Sequence, residues 1–183
     1  MSWPQSIIDQ FNAVDPNTTV ESEWYGPYNT LLVHIFKYED GFSVHPQYSL
    51  FESRESIDFT TIYIVERKRH PVFILEIKPH PNIVDKSRRN GADRQIHECF
   101  DKLADGLVIP RLHAVSLMGM MFATYVLENA TSLVTPQPNI SSNKDIIRDL
   151  APRSWWQYEI LEATGRAKFL EIVEDVKAMS LEI

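Results

Sequence analysis

Apolar side chains recur at three- and four-residue spacing in two long stretches of the chain, residues 25–37 and 166–180. The first stretch carries Tyr28, Leu31, Leu32, Ile35 and Phe36 at this spacing. The second carries Phe169, Ile172, Val173, Val176 and Met179. The spacing places each set on one side of an α-helix, which predicts two amphipathic helices that pack on a core. Shorter helices are predicted over residues 4–14, 92–103 and 154–163.

Five short apolar stretches instead predict β-strands, and they span residues 42–50, 57–65, 72–78, 112–118 and 120–127. Residues 57–65 are rich in β-branched and aromatic side chains, which favour extended backbone. Pro46 interrupts the first stretch and makes it the weakest of the five. Polar residues 67–71 predict a hairpin turn, and Gly119 predicts a second turn between the last two strands.

The order of these elements is helix, three strands, helix, two strands and further helices. Such an order predicts an α/β protein with a mixed central sheet flanked by helices. The length of 183 residues fits a single domain, with residues 1–20 as an N-terminal extension. A loop rich in proline and small polar residues spans 135–143, and residues 144–183 are predicted to form C-terminal helices on the same core.

The composition is that of a folded protein, with 44% hydrophobic, 23% charged and 11% aromatic residues, which excludes a disordered chain. The single cysteine, Cys99, excludes a disulfide scaffold and a cysteine-based zinc module. No apolar run approaches the ~18–20 residues that cross a bilayer, and no basic and apolar leader is visible at the N-terminus. We therefore expect an intracellular protein that is not secreted and has no membrane partner.

The net charge of −7 conceals a basic segment in an otherwise acidic chain. Residues 66–94 contain eight Lys or Arg and four Asp or Glu, so this segment carries +4 and the remainder carries −11. The overall charge argues against a general nucleic-acid coat protein, which must neutralise phosphates. The basic segment is a candidate anion-facing surface, although on charge alone a pair of solvated loops is the simpler interpretation.

Two carboxylates and one ammonium group are predicted to meet at one end of the sheet. Glu76 and Lys78 lie two positions apart at the end of the strand over 72–78, so their side chains point to the same face. Asp58 stands at the start of the preceding strand. If the two strands pair as a hairpin, the start of the first lies beside the end of the second, and Asp58 comes close to the other two.

Such a cluster has a defined chemical use. Mg²⁺ binds through one or two carboxylates and completes its shell with water and substrate phosphate oxygens. The ion lowers the pKa of a bound water and offsets charge on a phosphoryl group. A lysine beside it positions or deprotonates the attacking water, or stabilises the transition state. The alternative is a salt-bridge cluster on the surface without chemistry.

Asp58, a hairpin and then Glu76-Ile77-Lys78 resemble the motif of the PD-(D/E)XK nuclease superfamily, which includes many restriction and repair nucleases. The element order is similar to that superfamily's restriction-endonuclease-like core of helix, three-stranded meander, helix and strand, over roughly residues 21–127. The resemblance implies that Asp58 and Glu76 bind Mg²⁺ or Mn²⁺, while Lys78 acts on the nucleophilic water. Ile57 stands where the family often has proline, at a position that is often degenerate.

The resemblance also implies roles for further polar residues. An acid of the first core helix completes the metal site, and either Glu21 or Glu23 fits, although the helix dipole alone favours an acid there. Gln95, in the second core helix, contacts phosphate or a metal-bound water, whereas a helical glutamine is otherwise usually solvated. Basic residues of this region hold the nucleic-acid backbone, and they are Lys68, Arg69, Lys86, Arg88, Arg89 and Arg94.

The sequence therefore predicts a metal-dependent nuclease that hydrolyses phosphodiester bonds, with DNA expected before RNA as its partner. A nuclease-like fold that only binds nucleic acid or protein is the main alternative, and the acidic surface favours it. The retained Asp58, Glu76 and Lys78 favour the enzyme. A third hypothesis is self-association through the C-terminal helices, which would make a homodimer.

Overall fold

The computed structural model describes residues 2–46, 62–137 and 149–183. The α-helices in these ranges are α1 (Gln5–Asn12), α2 (Tyr25–Ile35), α3 (Lys86–Leu103) and α4 (Ala163–Ser180). The strands are β1 (Phe42–His45), β2 (Ile62–Arg67), β3 (His70–Lys78), β4 (Arg111–Met118), β5 (Met121–Glu128), β6 (Leu133–Thr135) and β7 (Tyr158–Glu159). No helix in these ranges is both long and apolar enough to cross a membrane.

The strands form one mixed sheet in the order β1-β2-β3-β4-β5-β6, with β7 paired to β5. β1, β2 and β3 form an antiparallel meander, β3 and β4 run parallel, and β4 and β5 run antiparallel. A parallel pair needs a crossover connection, and α3 supplies it between β3 and β4. The predicted α/β class with a mixed sheet and flanking helices is confirmed.

Helices cover both faces of this sheet. Phe73 of β3 packs against Phe36 at the end of α2 and against Phe169 of α4, with ring centroids 5.5 and 6.1 Å apart. Side chains alternate along a strand, so the positions next to Phe73 face the other way, toward α3. Ile96 and Phe100 of α3 have no exposed surface. The site residues at the end of β3 therefore lie on the α3 face.

The N-terminal residues belong to the core. Phe11 of α1 contacts Tyr28 of α2 edge-on at a centroid distance of 4.8 Å. The indole N–H of Trp3 donates a hydrogen bond of 2.7 Å to the carbonyl of Ile160. Residues 1–20, predicted as an N-terminal extension, therefore pack on the core through the apolar face of α1.

The C-terminal region contains one long helix. α4 begins at Ala163, close to the predicted start, and its apolar stripe is buried in this chain's own core. The helix predicted over 154–163 is wrong. A 3-10 turn (Arg153–Trp155) and β7 occupy these residues, because pairing with β5 and burial of Trp156 override local helical preference.

Two other boundaries differ from the prediction. α3 begins at Lys86 instead of residue 92, since the Asp85 carboxylate caps it and accepts hydrogen bonds from the backbone N–H groups of Ser87 and Arg88. The hairpin turn between β2 and β3 contains only Lys68 and Arg69, both with positive φ, and not residues 67–71. Parts of the predicted strands over 42–50 and 57–65, and most of the segments 135–143 and 145–150, lie outside the described residues.

Candidate active site

An ion pair lies at the carboxyl end of β3. Nζ of Lys78 is 3.7 Å from Oε2 of Glu21, and the two side chains are only 15% and 21% exposed. Glu21 opens a 3-10 turn (Glu21–Trp24) that continues directly into α2, which places it over the strand end. The hydroxyl of Tyr25 donates to the other oxygen of Glu21, Oε1, at 2.8 Å. The carboxylate is therefore held in one orientation beside the lysine.

On sequence alone, either Glu21 or Glu23 fits as the acid that completes this site. The structure brings Glu21 to Lys78, whereas Glu23 is exposed to solvent and does not line the adjacent cavity. Successive residues of a 3-10 turn point about a third of a turn apart, so positions 21 and 23 face different directions.

Glu76 is buried completely beneath this ion pair. Oγ of Ser116 in β4 donates to Oε2 of Glu76 at 2.8 Å, and Oε1 has no hydrogen-bond partner among the described residues. Burial raises the pKa of Glu76 to about 7, and the charges of Glu21 and Asp93 add to this. The Lys78 charge and the Ser116 hydrogen bond lower this pKa but do not offset the burial.

Two of these polar residues escaped the sequence analysis. Ser116 is the one hydroxyl residue in the otherwise mostly apolar β4, and that isolation was the available signal. Asp93 is buried on the inward side of α3, three positions before Ile96, and lies 3.6 Å from His97 between Oδ1 and Nε2. Burial raises the pKa of Asp93. Buried polar side chains therefore continue from Ser116 and Glu76 to Asp93 in the interior.

A cavity of about 520 Å³ opens in front of Lys78, between the Glu21 turn and the first half of α3. The charged and amide residues that line it are Glu21, Lys78, Asn82, Arg88, Arg94 and Gln95. Three cations face one carboxylate in this set, so the cavity favours an anionic ligand. Oε1 of Gln95 is buried and accepts no hydrogen bond within the described ranges.

The two arginines that line the cavity remain largely exposed. The Arg88 side chain donates to Oδ1 of Asn82 at 3.0 Å and lies 3.5 Å from the Asp85 carboxylate. Nε of Arg94 lies 3.6 Å from Oε1 of Glu98, one turn along α3. Lys86 stands at the start of the same helix and does not line the cavity.

The Arg89 side chain is buried in the protein and does not lie on the anion-facing surface. Its side chain is only 6% exposed, and it forms an ion pair with Asp149. Nε donates to the carbonyl of Ala151 at 3.1 Å and Nη1 to that of Ile83 at 2.8 Å. The prediction of a phosphate contact for Arg89 is therefore corrected, because its donors tie the C-terminal region to α3.

Lys68 and Arg69 are also misplaced by the prediction. They form the turn that precedes β3, whereas Lys78 is the last residue of that strand. Eight residue steps at ~3.3 Å each put the two ends of β3 roughly 26 Å apart. Both residues therefore lie at the opposite end of the sheet from the cavity.

The two carboxylates near Lys78 are oxygen ligands of the kind that a hard divalent cation takes. Asp58 lies outside the described residues, and within the described ranges no three His, Cys, Asp or Glu side chains are grouped to hold a metal ion. Glu21 and Glu76 nevertheless supply two carboxylates beside Lys78, which matches the one or two that Mg²⁺ takes in phosphoryl-transfer sites. The unpaired, buried Oε1 of Glu76 is an oxygen that a cation would satisfy.

Comparisons with protein-family models, with curated proteins and with solved structures found no match to this chain.

Proposed function

We propose that the protein is a Mg²⁺- or Mn²⁺-dependent nuclease that hydrolyses phosphodiester bonds, in DNA before RNA. The observation that carries this proposal is the Lys78–Glu21 pair above the buried Glu76, at the wall of a cavity with a cationic lining. The resemblance to the PD-(D/E)XK superfamily supports it. The chain runs from α2 through the β1–β3 meander to α3 and β4, which is the order that the resemblance implies.

Three carboxylates would hold the ion: Glu76, Glu21 and Asp58. The ion, when bound, supplies a water of lowered pKa and neutralises charge on the phosphoryl group. Nζ of Lys78 sits beside Glu21 and within the cavity wall. From there Lys78 would act in one of two ways. As a neutral amine, having first released its own proton to solvent, it would take a proton from the attacking water; as an ammonium group, it would stabilise negative charge on the phosphoryl oxygens.

The first half of α3 would hold the substrate backbone. Arg88 and Arg94 present guanidinium groups that suit phosphate oxygens, and Gln95 presents an amide whose donors can reach a phosphate. Gly91 lies between them on the helix, and a Cβ there would meet no atom within 4 Å. Open space at this point lets a polynucleotide approach the helix closely.

Cleavage of labelled oligonucleotides tests this proposal. We expect the wild type to cleave single- or double-stranded DNA with Mg²⁺ or Mn²⁺ and to lose this activity in EDTA. Lys78→Met should lower the rate at least 100-fold, since one electrostatic donor is worth about that much. Lys68→Met, which removes the same charge at the far end of β3, should keep the wild-type rate. A wild type that cleaves neither DNA nor RNA, or an active Lys78→Met variant, contradicts the proposal.

Binding without cleavage is the second candidate function, and the complete burial of Glu76 favours it. Burial raises the pKa of this carboxylate to about 7, so protons compete with a cation for it near neutral pH. Retained binding of DNA by the wild type, measured by fluorescence anisotropy, with no cleavage at any divalent-ion concentration, would select this candidate.

A further inference from the structure

We propose that Ser116 is a positioning residue that fixes the orientation of the Glu76 carboxylate, an inference that rests on the proposed function. The Ser116 hydroxyl donates a hydrogen bond of 2.8 Å to one carboxylate oxygen of Glu76, Oε2. The other oxygen, Oε1, is left without a partner among the described residues. The hydrogen bond thereby selects which oxygen is available to a cation.

The backbone places the two residues opposite each other. Glu76 and Ser116 are direct partners in the parallel register between β3 and β4, and neither has exposed surface. The register is fixed on both sides, because Leu75 pairs with Val115 and Ile77 with Leu117 in the packed core. The serine therefore cannot shift along the strand relative to the carboxylate.

The composition of β4 indicates that this hydroxyl has a specific use. Val115 and Leu117 flank Ser116, and both are fully buried apolar residues. A buried hydroxyl costs free energy unless it forms a hydrogen bond, and Glu76 is its acceptor here. Alanine would fill this position without that cost if packing were the only requirement.

The physical effect of the hydroxyl is to restrict the last torsion of Glu76. That torsion has a broad energy profile in glutamate, so an unheld carboxylate samples many orientations. A hydrogen bond to one oxygen reduces this range, and the cation then meets a preorganised ligand. Loss of such a supporting partner typically weakens metal affinity or activity by about 10- to 100-fold.

Calorimetric titration with Mn²⁺ at constant pH tests the role of Ser116. In Ser116→Ala the Kd for Mn²⁺ should rise about 10- to 100-fold. Ser116→Thr keeps the hydroxyl and should restore most of the affinity, since strands accommodate β-branched residues. In the cleavage assay, kcat should fall in Ser116→Ala while KM for the oligonucleotide stays constant, because phosphate contacts of α3 are untouched.

Ser180→Ala is the matched control. Ser180 is also fully buried, but its hydroxyl donates to the backbone carbonyl of Val176 within α4, at 2.6 Å. This variant should bind Mn²⁺ like the wild type, so any general effect of removing a buried hydroxyl is measured separately. If Ser116→Ala does not fold, Ser116→Cys replaces it, since a thiol of similar size is a weak donor and should also weaken binding.

The outcomes separate this inference from the proposed function. Wild-type affinity in Ser116→Ala, or equal weakening in Ser116→Ala and Ser180→Ala, overturns the role of Ser116 and leaves the nuclease proposal standing. A wild type that neither binds Mn²⁺ nor cleaves nucleic acid overturns both.

Discussion

Arg88 and Arg89 are neighbours in α3, yet their side chains meet different surroundings. The Arg88 side chain is 60% exposed at the cavity, whereas the Arg89 side chain is 6% exposed and bonded to Asp149, Ala151 and Ile83. The sequence alone assigns both to phosphate binding, because charge and helical position do not reveal which arginine faces the interior. Burial of Arg89 depends on residues some sixty positions away in the chain.

We predict opposite phenotypes for the two alanine variants. Arg89→Ala should lower the free energy of unfolding by about 3 kcal/mol, because it leaves a partly buried carboxylate and two carbonyls without their donor. Arg88→Ala should change stability by less than about 0.5 kcal/mol. It should instead weaken DNA binding and reduce the slope of log K against log salt by about 1. Urea unfolding and anisotropy titrations measure both, and equal stability of the two variants would contradict this assignment.

The sequence predicts residues of the candidate site only where the local residue pattern determines which side chains lie together. Glu76 and Lys78 share a face because strand side chains alternate, and the structure places both at the end of β3. The choice of Glu21 over Glu23 required the path of the turn into α2. Ser116 required the pairing of β3 with β4, which joins residues forty positions apart.

At the scale of elements, the β4–β5 turn supports the end of β3. The N–H of Gly119 donates to the carbonyl of Lys78 at 2.8 Å, and the hydroxyl of Tyr28 donates to the carbonyl of Gly119 at 2.7 Å. Gly119 has φ of +62°, and a Cβ there would lie 2.6 Å from Cβ of His80. The turn therefore requires glycine for its backbone conformation and for the close approach of the segment that follows Lys78.

Gly119→Ala should therefore destabilise the protein by about 2 kcal/mol or more, through a strained φ and the contact with His80. It should also lower the cleavage rate, since the end of β3 must shift. Gly26→Ala is the control, because Gly26 lies in α2 and a Cβ there meets no atom within 4 Å. Alanine at that position should be neutral or stabilise by about 0.5–1 kcal/mol. Thermal unfolding compares the two, and an undiminished melting temperature in Gly119→Ala would exclude this role for the turn.

Helices were predictable from the sequence where the periodic pattern of apolar residues was long. The residues at which helices and strands begin and end were not predictable in this way. The stripes of α2 and α4 gave the correct helices. The apolar pattern does not predict the early start of α3, because its first turn is polar and only the Asp85 cap marks where it begins. The segment around Trp156 reads as a helix locally, but its pairing with β5 and the burial of its indole are tertiary effects.

At the scale of the whole molecule, the buried Glu76 links stability to pH. Burial raises the pKa of Glu76 from its ordinary value of 4.5 to about 7 in the folded protein. The unfolded chain therefore loses the carboxyl proton of Glu76 at a lower pH than the folded protein does. The stability that protonated Glu76 provides is complete below about pH 4.5 and is lost as the pH rises through about 7. A difference of this size corresponds to about 3 kcal/mol between the two limits.

Glu76→Gln removes this dependence, since a neutral amide of the same shape can still accept from Ser116. In EDTA we expect the variant to exceed the wild type in unfolding free energy at pH 8.5 by up to about 3 kcal/mol, and to match it near pH 4.5. Glu23→Gln, an exposed change of the same kind, should match the wild type at both values. Denaturant titrations at the two pH values measure the difference, and a Glu76→Gln variant that is less stable at pH 8.5 would refute the burial of an ionised carboxylate.

Binding of Mn²⁺, measured by calorimetry, tests the central claim most directly, because it asks whether the carboxylates around Lys78 form a metal site. Titrations are made with and without an oligonucleotide that carries phosphorothioate linkages, so that a site completed by substrate phosphate is also detected. We predict one or two sites in the wild type, none in the Asp58→Ala/Glu76→Ala double variant, weaker binding in Glu21→Gln and unchanged binding in Glu23→Gln. Absence of Mn²⁺ binding by the wild type under both conditions, or full binding by the double variant, would contradict the account.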